Sequence, residues 1–228
     1  MTHRSVFITG ATGYMGHSLV PALLVRGHSV RALVREASAH RVPPGAEVVV
    51  GNALDPDTFS NAVAPADTLV HLIGTPHPSP AKAASFQAVD LPSVDAALAA
   101  ALAARVRHFV YVSVAQPAPV MRAYVAVRQA GEARIRASGI PATILRPWYV
   151  LGPGHRWPYL LVPFYAIFTL LPPTREAARR LGLVTLAQMV RALVASIERG
   201  PEGVRVVDVQ SIRAASGEPG GRPYSRGR

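Results

Sequence analysis

The amino-acid sequence predicts an α/β domain built on a doubly wound parallel sheet, and three observations carry that expectation. Strand-like and helix-like patterns alternate from the first residues onward. The strand segments are near-continuous apolar runs, as expected of strands covered on both faces by crossover helices. A glycine-rich turn, Gly10-Ala11-Thr12-Gly13-Tyr14-Met15-Gly16, joins the first strand to the first helix. Right-handed crossovers then make the doubly wound arrangement the economical one.

Taken in order, residues 4–9 read as the first strand, and a helix follows from about 14 to 26, closed by Gly27 and His28. Ser29–Val34 and Glu47–Val50 are the second and third strands. Asp55 is the expected N-cap of a short helix, with Pro56 at the first position, where the missing N–H costs nothing. Residues 67–73 form the fourth strand; a proline-rich loop and an alanine-rich helix to about Arg105 come next. The fifth strand is 108–113, a long helix spans 120–138, and the sixth strand is 142–146. From Trp148 to Pro173 the chain is aromatic, apolar and broken by prolines. A strand at 181–184, a helix over 186–199 and a strand at 204–209 complete the ordered part. The expected organisation is a single domain over 1–210, in which 148–200 is a small C-terminal region covering the substrate. A disordered tail rich in Gly, Ser, Pro and Arg is expected over 211–228.

Composition narrows the function classes. Half of the 228 residues are hydrophobic, enough for a sizeable core. Cysteine is absent, which excludes disulfides, thiolate metal sites and cysteine nucleophiles. No signal-peptide pattern is visible, and the apolar stretch 159–171 is shorter than the roughly 20 residues of a spanning helix, so a soluble, cytoplasmic protein is expected. The net charge of +11 is carried by scattered arginines, with Lys82 the single lysine. That pattern is compositional bias rather than a basic stripe, and no nucleic-acid partner is expected. His71, His77 and His155 lack metal-site spacing, so no metal is expected. Asp90 reads as a helix-surface acid, and Ser113 lacks the flanking glycines of a hydrolase nucleophile.

The glycine turn directs the functional reading. It follows a strand and opens a helix, where backbone N–H groups and the helix dipole face an anion. Gly10 permits the tight turn, Gly13 lets a pyrophosphate approach the main chain, and Gly16 allows close helix–strand packing. The expected ligand is a nicotinamide dinucleotide held on a Rossmann-type fold. An NAD-selective site places an acid at the end of the second strand to accept from the ribose 2′-hydroxyl. Here that end carries Arg35, with Glu36 one residue beyond, and Arg35 is placed to pair with a 2′-phosphate. NADP(H) is therefore expected over NAD(H).

The stretches 6–16, 30–35, 51–55, 108–113 and 142–147 together resemble the short-chain dehydrogenase/reductase superfamily over residues 4–150. The likeness is strongest to its atypical branch, which includes NmrA-like proteins and proteins like the 39-kDa subunit of complex I. The resemblance implies that Thr12, Tyr14 and Met15 join the glycines in holding the cofactor. It implies that Asn52, beside Ala53, stands where an aspartate contacts the adenine, and that Leu72, Ile73 and Gly74 line the adenosine side. Pro147 would abut the nicotinamide. The family's Tyr-x-x-x-Lys motif matches Tyr124-Val125-Ala126-Val127-Arg128, whose spacing puts both side chains on one helix face.

In that motif tyrosine gives or takes a proton at the substrate oxygen. A free phenol has a pKa near 10, so a fixed positive charge beside it is needed for work near neutral pH. Arginine keeps the charge but not the compact ammonium geometry. The implied roles are proton transfer for Tyr124, a hydrogen bond to the reacting oxygen for Ser113, and for Arg128 both lowering the tyrosine pKa and positioning the ribose.

Two functional readings follow. One is an NADP(H)-dependent oxidoreductase acting on a small or lipophilic carbonyl or alcohol, favoured by Tyr124 and Ser113. The other is a non-catalytic dinucleotide-binding protein, either a redox sensor or an accessory subunit of a respiratory assembly, favoured by the departures at Asn52 and Arg128. Residues 157–173 are expected to form a hydrophobic lid that accepts a lipophilic substrate or docks on a partner or bilayer surface, with burial as a core helix as the alternative.

Overall fold

The computed structural model describes residues 3–75, 78–118, 120–153 and 181–215. Among them the first strands are β1 (Ser5–Thr9), β2 (Ser29–Val34), β3 (Glu47–Val50) and β4 (Thr68–His71). They are followed by β5 (His108–Val112), β6 (Ala142–Leu145), β7 (Tyr149–Leu151), β8 (Leu183–Thr185) and β9 (Val204–Val207). Seven of these form one sheet in the order β3-β2-β1-β4-β5-β6-β9, every neighbouring pair parallel. The chain winds outward from β1 in both directions, and this reversal of order opens a crevice at the carboxyl ends of β1 and β4. The expected doubly wound Rossmann-type sheet is what the structure shows.

Alternation along the central strands divides the core in two. Val6 and Ile8 of β1, with Val110 and Leu145, pack on one face against α1 (Gly16–Leu24) and α5 (Leu186–Arg199). Phe7, Leu69, Phe109 and Ile144 face the other way, toward α2 (Ser60–Val63), α3 (Leu91–Ala103) and α4 (Arg122–Ala137). The stretch Pro80–Ala103 is long and apolar enough to cross a membrane by length and composition, yet half of it is buried within the domain. Its apolarity serves this second core layer.

Several boundaries differ from expectation. The segment at 181–184 contributes β8, which pairs with β7 in a separate two-stranded parallel sheet rather than joining the main one. Residues 186–199 form α5, the helix expected there. This helix starts in a capping box, Gln188 N to Thr185 Oγ1 (3.2 Å) and Thr185 N to Gln188 Oε1 (2.8 Å), and buries Met189, Leu193 and Ile197 in the core. The expected tail begins instead as a helix, α6 (Val209–Ala214), capped by Asp208 and anchored by the buried Val209 and Ile212. Its few apolar residues were masked by the Gly/Ser/Arg-rich composition that follows. The proposed lid at 157–173, with His77, His155 and residues 216–228, lies outside the described residues.

Two histidines are built into the core as neutral rings. His71 Nδ1 is 2.8 Å from Thr9 Oγ1 and its Nε2 is 3.2 Å from Ser93 Oγ, tying β1, β4 and α3 together. His108 Nε2 lies 3.0 Å from Thr143 Oγ1. Burial, reinforced by the nearby Arg128, takes the His71 pKa down to about 3. Burial and the charges of Arg205 and Arg4, opposed by Asp67, take His108 down to about 4. The unfolded chain binds these protons below about pH 6.5 and the folded chain does not, so this contribution to stability is complete above pH 6.5 and is lost as the pH falls. We predict that thermal unfolding measured from pH 7 to pH 4 shows a steep acid limb, each histidine costing on the order of 3 kcal/mol by pH 4. His71→Gln removes about half of that limb while lowering stability at pH 7; an unchanged limb would contradict the assignment.

Candidate active site

At the end of β1 the chain reverses at Gly10, whose φ of 82° lies in the left-handed region, and Gly13 N–H donates to Gly10 O at 3.0 Å. The turn brings Gly16 directly onto the strand end. A Cβ there would lie 2.3 Å from Gly10 O and 2.6 Å from Ala11 Cα, so no side chain fits. The N-terminus of α1 is thereby held at the crevice with its positive dipole end toward it, an arrangement suited to phosphate.

A groove of about 440 Å³ runs along this turn. The turn itself supplies one wall through Gly10, Thr12, Gly13, Tyr14, Met15 and Gly16. On the β2 side it is lined by Arg35 together with Ser38 and Arg41, which follow on the 3₁₀ turn Glu36–Arg41. Arg41 Nη2 donates to Thr12 O at 3.3 Å, which holds the exposed arginine against the glycine turn. Leu72, Gly74, Thr75 and Val112 line it at the ends of β4 and β5, and Tyr124 and Arg128 reach it from α4. Because β2 and β5 flank the β1–β4 pair on opposite sides, the groove spans the crevice from the basic cluster to the tyrosine. Ser38 and Arg41 are not apparent from the strand-end pattern; the signal for them is their three-residue spacing beyond Arg35.

Other expected contacts are not on the groove wall. Asn52 is exposed, and its Oδ1 accepts from Leu54 N–H at 3.1 Å, closing its own turn. Ala53 packs against the second core layer. Ile73 offers its carbonyl to Arg128 (3.4 Å), and Pro147 O accepts from Ala115 N–H (2.8 Å). Ser113 is likewise turned away. Side chains alternate at the end of β5, and since Val112 lines the groove, Ser113 faces α4 and donates to Glu132 Oε1 at 2.6 Å. The same buried carboxylate accepts from Gln116 Nε2 (2.7 Å) and from Arg146 Nε (2.9 Å). Ser113, 3% exposed, is thus tied to Glu132 and does not line the groove.

Tyr124 and Arg128 do share the groove, as their spacing implied, but the arginine is held differently from expectation. Its Nη2 donates to Asp90 Oδ1 at 2.8 Å, and its Nη1 lies 3.1 Å from Val112 O and 3.2 Å from Tyr111 Oη. The guanidinium sits over the ring of Tyr124, 5.1 Å from its centroid. Phe86 meets the same ring at 5.1 Å between centroids. Asp90 is not a surface acid: the wider π-helical turn Phe86–Asp90 carries it inward, where Thr75 donates to its Oδ2 through N–H (2.9 Å) and Oγ1 (2.6 Å). Gly74 makes the room, since a Cβ on it would lie 2.0 Å from Arg128 Nη2. Arg128 Nε is buried without a hydrogen-bond partner among the described residues. Burial raises the pKa of the Tyr111 phenol beneath this pair, so it serves as a neutral partner.

A family model described as NAD(P)H-binding matches residues 10–156, the turn and the groove included. The chain belongs to this NAD(P)H-binding family. A ceramide reductase of Caulobacter vibrioides is 33% identical over 179 residues, which cover 76% of this chain and 55% of that protein. The 4-hydroxy-2-methyl-3-oxo-4-farnesyl-3,4-dihydroquinoline-1-oxide ketoreductase of Stigmatella aurantiaca is 38% identical over 109 residues, covering 47% and 32%. The chain thus spans about half, or less, of the length of these curated relatives. Among solved structures, the Bordetella bronchiseptica enzyme WbmH in complex with NAD+ shares the fold at a TM-score of 0.68 and 21% identity, over 89% of this chain and 75% of that one. As an NAD(P)H-binding protein the chain takes a nicotinamide dinucleotide, and the glycine cradle that a Cβ would fill fits such a group.

We predict that Gly16→Ala forces α1 off the strand end. NADPH affinity, followed by its fluorescence, falls at least about tenfold, or about 1.4 kcal/mol, and the melting temperature drops by several degrees. Unchanged binding would show that the close approach is not needed.

Proposed function

We propose that the chain is an NADP(H)-dependent oxidoreductase that interconverts a carbonyl and an alcohol on a lipophilic small molecule. The observation that carries this reading is the presence of Tyr124 on the wall of the groove that the glycine turn opens. When bound, the nicotinamide supplies or accepts the hydride. Tyr124 gives or takes the proton at the substrate oxygen, and Arg128 holds its ring. The turn residues would hold the pyrophosphate on their N–H groups, and Arg35, Ser38 and Arg41 would hold a ribose 2′-phosphate by charge-assisted hydrogen bonds. Ceramide, a farnesyl-bearing ketone and a 3-beta-hydroxysteroid are named as substrates of relatives, and all three are lipophilic, which supports an apolar substrate here. These reductases favour the oxidoreductase over the non-catalytic reading. The lack of cysteine suits a reducing compartment, and we place the protein in the cytoplasm.

Two outcomes test the reading. NADPH binds at least about tenfold more tightly than NADH, and Arg35→Ala or Arg41→Ala each removes much of that gap; equal affinities in the parent chain would refute the cofactor choice. On a panel of long-chain ketones and 3-ketosteroids, Tyr124→Phe lowers turnover by roughly 100-fold or more while NADPH affinity stays within about twofold. Full turnover by that variant would exclude Tyr124 as the proton carrier. Tight NADPH binding with no turnover of any substrate by the parent chain would support the non-catalytic reading instead.

A further inference from the structure

Arg128 carries its charge almost wholly buried, at 4% exposure, and a buried guanidinium with no counter-charge is strongly unfavourable. Asp90, at 1% exposure, answers it across 2.8 Å. The carboxylate is itself held from its other side, since Thr75 donates to Oδ2 twice. Asp90 is therefore placed by the groove wall before it places anything else. Its pull draws the guanidinium into the space beside Gly74, and there the cation lies on the ring face of Tyr124. Phe86, four residues earlier on the same π-helical turn, packs against that ring. One turn of helix thus grips the pair twice, with an aromatic side on the tyrosine and a carboxylate on the arginine.

We infer that Asp90 is a positioning residue for the proton transfer proposed above: it holds Arg128 against the face of Tyr124 and offsets its charge. The inference rests on the reading of Tyr124 as proton carrier. Among the described residues, the charged and titratable groups around the pair are Asp90 from the π-helical turn, Tyr111 from β5 and His71 from β4, the last held neutral by burial. Asp90 supplies the one negative charge among them. Arg128 consequently meets the tyrosine as half of an ion pair, unlike a lone cation set beside a phenol oxygen.

The test needs neither cofactor nor substrate. Phenolate absorbance of the full chain is followed against pH, each variant being compared with its own Tyr124→Phe counterpart so that the difference belongs to Tyr124. Asp90→Asn keeps the shape and removes the offsetting charge, and the Tyr124 signal then begins about one pH unit lower than in the parent. In the double variant Asp90→Asn/Arg128→Gln both charges are gone, and the signal returns to within about half a pH unit of the parent. A Tyr124 signal unmoved by Asp90→Asn overturns the inference. Should Asp90→Asn not fold, the double variant decides alone, because a neutral pair commonly replaces a buried ion pair without loss of the fold. A displacement of a pH unit or more to higher pH in that variant would mean that Asp90 never offset Arg128, and the inference falls. Absence of turnover on every ketone would count against the proposed function and leave this readout standing.

Discussion

The glycine-turn wall of the groove is positioned by how closely α1 approaches the end of β1. At Gly16 the helix touches the strand with backbone alone, and this contact sets the dipole end of α1 at the mouth of the crevice. The crevice exists because the sheet order reverses between β1 and β4, so the two strands diverge into connections on opposite faces. Arg35 and Arg41 arrive on one side of it by following β2, and Tyr124 arrives on the other by following β5. A groove that runs from a basic cluster to a phenol is a consequence of topology.

The second organising element is ionic and lies under the tyrosine. The Asp90–Arg128 pair links the π-helical turn to α4, and Thr75 joins it to the loop after β4. A few residues away, Glu132 gathers Ser113, Gln116 and Arg146, fastening the ends of β5 and β6 to the same helix. Helix α4 is thus anchored at two successive turns by buried carboxylates with filled hydrogen-bond shells. Breaking either by removing one partner leaves an unpaired buried charge, which is far more costly than losing a surface pair.

The parts of this arrangement legible in the sequence are those set by neighbours along the chain. Apolar runs and the glycine spacing announced the parallel sheet and its turn, and Arg35 could be placed because a strand end has a known position. The i, i+4 spacing put Tyr124 and Arg128 on one face. What the sequence did not reveal depends on contacts between distant segments or on small departures from regular geometry. Asp90 looks like a helix-surface residue until a π-helical turn rotates it inward. Ser113 looks available until alternation at the end of β5 aims it at Glu132, nineteen residues on. The two-stranded β7–β8 sheet pairs segments more than thirty residues apart through short runs with no pattern to signal it.

The glycine at position 74 bears on how such a site could change over generations. Its missing side chain is the space that the Arg128 guanidinium fills, and the charge in that space is tolerable only with Asp90 beside it. The three positions are therefore coupled: a methyl group at 74 would press on the guanidinium, and loss of the acid at 90 would leave a buried cation unpaired. Any change to the neighbourhood of the tyrosine therefore has to treat 74, 90 and 128 together.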